Sequence, residues 1–192
     1  MSIALIVILA LLGALLLYGI LIYNNLVSLK HAVSKAWSNI DVLLKQRHDE
    51  LPKLVETCRQ YMKFEQETLE RVMRARNQVQ AAREAHDVPD LGRAEGALRL
   101  GLGNLFAVAE AYPELKANET FQHLQVRISG LESSIADRRE FYNESVNANN
   151  VRIEQFPDVI IANLFGFKPA ELLEFSEEEK ADVDIKELFS QP

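Results

Sequence analysis

The chain has one cysteine, Cys58, in 192 residues. A single thiol excludes an internal disulfide framework and a zinc site built on cysteines. Positive charge is also short: 21 Lys and Arg stand against 28 Asp and Glu, a net charge of −7. A nucleic-acid binder needs a basic face toward phosphates, so no nucleic-acid partner is expected. No segment alternates polar and apolar residues as a half-buried strand does. His31, His48, His86 and His123 form no HExxH pattern, and Gly101 and Gly103 follow no strand. Neither a metalloprotease helix nor a phosphate loop is indicated. With no catalytic signature, the chain reads as non-enzymatic, without cofactor or metal.

What is present begins with an uncharged run. Ile3 to Tyr23 covers 21 residues, of which only Gly13 and Gly19 fall outside the apolar set. About 20 such residues cross a bilayer core as a helix. The run exceeds the apolar core of a signal peptide, and Leu17, Tyr18, Leu21, Ile22 and Tyr23 leave no small-residue cleavage site. A retained single-pass anchor is expected. Lys30, Lys35, Lys45 and Arg47 follow it and residues 1–2 carry no base, which places the N-terminus outside and the body in the cytoplasm. The unpaired Cys58 agrees with a reducing compartment. Ala10 and Ala14 have a spacing that lets membrane helices approach closely, or they simply face lipid.

Beyond Tyr23 the apolar residues step by three and four. Leu26, Leu29, Val33, Ala36, Ile40 and Leu43 form one set; Leu51, Leu54, Cys58 and Tyr61 continue it, with Leu69, Val72 and Val79 beyond. Leu98, Leu102, Leu105 and Val108 form another, as do Phe121, Leu124, Ile128, Leu131 and Ile135. This spacing marks amphipathic helices. Asp49 can cap a helix that tolerates Pro52 in its first turn. Residues 87–92 read as a turn cluster with Asp90 as N-cap, and Pro113 and Pro157 end helices. The expected helices are 24–48, 50–86, 90–111, 114–155 and 158–164. The alternative joins the first two into one rod kinked at Pro52, because the stepping passes through it unbroken. The fold class is all-α: an N-terminal transmembrane helix, then an antiparallel four-helix bundle with a short C-terminal helix and an acidic tail. The divisions are 1–23 anchor, 24–157 bundle, 158–173 short apolar helix or cap, and 174–192 acidic tail. That tail holds seven acids and two lysines, a net −5, as mobile solubilising segments do.

Four strings carry a resemblance. AWSNIDVLLKQRHDELPKLVET (36–57) resembles the start of the LemA family domain, and AVAEAYPELKANETF (107–121) is similar to its central signature. RREFYNESV (138–146) and FPDVIIANLFGFKP (156–169) resemble its closing ones, in the same order. The departures are local: where the family usually has Gly-Tyr and His-Glu, this chain has Gln60-Tyr61 and Phe64-Glu65, and the second Tyr-Asn reads Asn149-Asn150. The resemblance implies a membrane-anchored helical bundle in the plasma (inner) membrane of a bacterium. Its relatives are associated with membrane organisation, including magnetosome membrane formation, and with membrane zinc proteases.

Two regions stand out as contact candidates. Asn143, Asn147 and Asn150 share one helix face, and Asn is a poor helix former. They form either a solvent stripe or an amide network that fixes register between helices or subunits. Phe156, Ile160, Phe165 and Phe167 lie in the most apolar stretch after the anchor. That stretch either caps the bundle or forms an interfacial or subunit contact; Lys168 is the base beside it. Arg71, Arg74 and Arg76 are interleaved with Glu67 and Glu70, as on a solvated face with local ion pairs. The expected role is a self-associating scaffold that organises or remodels the membrane, with the bilayer and further copies of the chain as partners. The alternative is an adaptor or regulator of a membrane zinc protease, another membrane protein or a signalling complex.

Overall fold

The computed structural model describes residues 2–174; the greater part of the expected acidic tail lies outside them. Six helices follow in order: α1 Ile3–Tyr61, α2 Gln66–Ala85, α3 Val88–Ala109, α4 Pro113–Lys116, α5 Glu119–Glu154 and α6 Asp158–Phe165. The described residues contain no strand, and the all-α expectation holds. The chain divides into two compact units. Of the described residues, unit 1 takes those up to Leu43 together with Ser134–Leu172, and unit 2 takes Leu44–Ser133 with Leu173 and Glu174.

The expected break near Asp49 does not occur. Helix α1 runs through Pro52 and ends at Tyr61, so the division into 24–48 and 50–86 is replaced. Pro52 has no N–H, which orphans the carbonyl four residues earlier. That carbonyl belongs to His48, and it accepts from Arg76 Nε at 2.9 Å. A side chain of α2 thus supplies the donor that Pro52 lacks, and the helix continues. The reversal comes instead at residues 62–65, where Met62 is fully buried and its carbonyl accepts from the Glu65 N–H at 3.3 Å.

In unit 2, α2 and α3 form a hairpin. His86 adopts the left-handed conformation (φ 55°) that ends α2, and its N–H reaches the Arg83 carbonyl. Asp87, rather than Asp90, caps α3: its carboxylate accepts from the Asp90 N–H at 2.9 Å, and Pro89 occupies the first turn. Gly101 lies inside α3 at the contact with α2, where a Cβ would stand 3.5 Å from Val72. At α5, Asn118 accepts from the Phe121 N–H at 2.9 Å and donates to the Tyr61 hydroxyl at 3.1 Å. That cap separates α4 from α5 and splits the single helix expected over 114–155. Leu51, Leu54, Cys58, Leu69, Val72, Leu91, Leu105, Leu115 and Ile128 fill the core of this unit.

In unit 1, Ile22 and Leu26 of α1 pack with Ile153 of α5 and Ala162 of α6, and Ile161 and Phe167 join from the side. Trp37 meets Tyr142 at 5.5 Å between ring centroids. Over the apolar run of α1 the most hydrophobic 18-residue window is only 6% buried, which distinguishes it from a core helix.

Candidate contact site around α6

Helix α6 is short and closed at both ends. Asp158, in its first turn, is buried and ion-paired with Arg152 of α5, and a carboxylate there also suits the positive end of the helix dipole. Gly166 ends the helix at φ 70°, and the Phe167 N–H returns to the Ala162 carbonyl at 2.9 Å. Glycine takes this left-handed conformation without the steric cost of a Cβ. The Phe156–Pro157 peptide before the helix is cis.

One side of α6 faces α1. Phe165 lies 4.7 Å from Tyr23 between ring centroids, and Phe167 lies 5.9 Å from it edge-on. Gly19 lies beside α6: a Cβ there would stand 3.8 Å from the tip of Ile161, an ordinary contact distance. The other side is open among the described residues: Phe156, Ile160 and Leu164 are 82, 57 and 72% exposed, and Phe165, despite its contact with Tyr23, is 58% exposed. Of the four phenylalanine and isoleucine candidates, only Phe167 is substantially covered. Ile3 and Gly13 lie in the exposed part of α1, and Tyr23 meets α6.

The three candidate asparagines do not act as one stripe. Asn147 is exposed and Asn143 half-buried. Asn150 pairs its amide with the backbone of Ala170, donating to the carbonyl and accepting from the N–H, both at 2.9 Å. Asn149, outside the expected stripe, is buried and donates to Asn150 Oδ1 at 3.1 Å. Nearby the Tyr142 hydroxyl donates to the Glu171 carbonyl at 2.9 Å, and burial first, then Glu171, pushes its pKa up. Together Asn150 and Tyr142 pin the extended chain that follows α6.

Unit 2 contains a charged cluster that the sequence reading missed. Arg47 is 1% exposed and ion-pairs Glu95 and Glu132, the latter at 2.6 Å. Burial works against its charge, but the two carboxylates outweigh burial and the net shift is upward. Glu50, also buried, meets Lys53 at 3.2 Å and Arg127 at 3.1 Å. A signal existed: Arg47 occupies an apolar position between Leu44 and Leu51, where a charge demands a buried partner. Arg71 pairs Glu67 at 3.1 Å as a solvated face would, whereas Arg76 turns inward to His48. Burial, then Arg76, lowers the His48 pKa. Burial pushes the Cys58 thiol up to about 12, far from a nucleophile's range.

A LemA family profile matches residues 36–186. The chain belongs to the LemA family. It is 27% identical to Protein LemA of Metamycoplasma hominis over 166 residues, 86% of this chain and 74% of that one. It is 36% identical over 92 residues to Magnetosome protein MamQ 2 of Paramagnetospirillum magneticum, and 34% identical to Magnetosome protein MamQ of Magnetospirillum gryphiswaldense. Each of these matches covers 48% of this chain and spans only 33% of the magnetosome protein's length. The family membership fits the helical architecture and the helix α1, the one among the described residues long and apolar enough to cross a membrane.

Proposed function

We propose that this LemA family protein is a single-pass membrane scaffold, anchored by residues 3–23, that self-associates and organises the membrane through contact rather than catalysis. The observation that carries the reading is the exposed apolar surface running from the α1 span onto α6. In water such a surface is costly, and it marks a lipid or protein contact. Lys30 and Lys35, just past the span, favour a cytoplasmic body in a bacterial inner membrane. The similarity to magnetosome proteins supports a membrane-organising role. Purification of the full chain in mild detergent, with mass measurement, tests this. The expected species is several times the 21.8 kDa chain and contains only this protein. Changing Ile160 and Phe165 to Ser should shrink it while helicity stays unchanged. A small species carrying a stoichiometric membrane protease or other protein would overturn self-association in favour of an adaptor role, with residues 156–167 as its contact surface.

A further inference from the structure

We propose that unit 1 binds an anionic phospholipid, with the phosphate headgroup held by Lys30, His31 and Lys168 and an acyl chain lying between α1 and α6. The inference rests on the membrane reading above. Two grooves adjoin and share Tyr23 and Phe165. The first, of about 630 Å³, is lined by Lys30, His31, Lys168 and Asn149, and no carboxylate among the described residues lines it. In a chain of net charge −7, a groove with cations and no acid runs against the overall balance. The second, of about 580 Å³, has an entirely non-polar frame apart from Tyr23: Leu12, Leu16, Gly19, Ile161 and Phe165 line it. Both volumes suit a small amphiphile.

The order of the two grooves along α1 matches a lipid. Tyr23 closes the uncharged run, and tyrosine favours the level where hydrocarbon meets headgroups. The apolar groove lies on the span side of Tyr23. Lys30 lies seven residues beyond it, about 10 Å along a helix, at headgroup depth. Lys168 is brought to the same groove by two local devices. The Gly166 turn reverses the chain after α6, and the Asn150–Ala170 pairing fixes the segment that follows. Sequence alone offered only Lys168 beside α6; the fold adds Lys30 and His31. The shared chemistry is a phosphate ester, and the adjoining apolar groove selects a lipid over free phosphate.

Native mass spectrometry of the full chain in mild detergent, with phosphatidylglycerol or phosphatidylcholine at equal concentration, tests the site. Phosphatidylglycerol should be retained at one per chain, about tenfold over phosphatidylcholine. The Lys30→Gln, Lys168→Gln double variant should lose that preference, since each lysine near an anionic lipid contributes several-fold. Lys35→Gln, outside the groove, should keep it. Equal retention of the two lipids, or a double variant like the parent, would overturn the site. So would displacement of phosphatidylglycerol by equimolar inorganic phosphate, which would mark a free-phosphate site. Flotation with pure phosphatidylcholine vesicles, resistant to alkaline carbonate, separates the two readings. Flotation without anionic preference sinks the lipid site alone; failure to float sinks the membrane anchor and this site with it.

Discussion

Unit 2 buries an arginine between two carboxylates, whereas unit 1 leaves much of the apolar helix α6 open. In unit 2, Arg47 and Glu95 are 1 and 5% exposed; in unit 1, Phe156 and Leu164 are 82 and 72% exposed. Each is the reverse of what hydropathy alone assigns. The first is tolerated because two carboxylates compensate the guanidinium. The second is costly in water. The comparison contrasts two departures from simple burial: in one unit charges hold internal packing together, and in the other apolar side chains stay open.

The largest expected effect breaks the charged cluster. Arg47→Ala leaves Glu95 buried without its cation and should cost about 3–5 kcal/mol. Urea unfolding of the detergent-solubilised chain measures this, and hydrogen exchange should show the loss within unit 2. Replacing Arg47 by Met together with Glu95 and Glu132 by Leu and Gln should recover most of it. If the single change proves neutral, the cluster has no role in holding the unit.

In unit 1, Asn150→Ala removes both pairings to Ala170 and should cost about 1–2 kcal/mol. Faster amide exchange at residues 168–172, with unit 2 unchanged, is the expected signature. Arg76→Met orphans the His48 carbonyl, at about 1 kcal/mol. The same change in a Pro52→Ala background should cost less, because alanine at that position supplies the missing N–H. Equal costs in the two backgrounds would break the link between Pro52 and Arg76. The smallest effect is with pH. The folded His48 pKa lies below its usual 6.5, so the unfolded chain binds the proton more readily. That contribution to stability is complete above pH 6.5 and declines as pH falls from there through the folded value. Unfolding midpoints measured at stepped pH should show this loss, and His48→Gln should remove it.

Much of the fold was legible in sequence. The span, the helical spacing of the core residues, the stop at Pro157 and the short helix ended at Gly166 all rest on local chemistry. What escaped was non-local. Pro52 signals a helix start unless a donor 24 residues away repairs it. The true reversal, across residues 61–66, contains neither Gly nor Pro to announce it. Asp87 and Asp90 are both competent caps, and only the N–H geometry selects the first. For the candidate site, the apolar character of residues 156–167 was visible, but which side chains meet Tyr23 and which stay open is set by the packing of α6 on α1. The asparagine spacing set three residues on one helix side, but it could not show that Asn150 addresses a backbone segment 20 residues on.

The bond from Arg76 to the His48 carbonyl also constrains the order in which this sequence can change. Residue 76 cannot drift to a shorter or neutral side chain while proline remains at 52 without leaving that carbonyl bare. Once 52 regains an N–H, residue 76 is released and can vary freely. The less costly order of change at these two positions therefore has the proline leaving first.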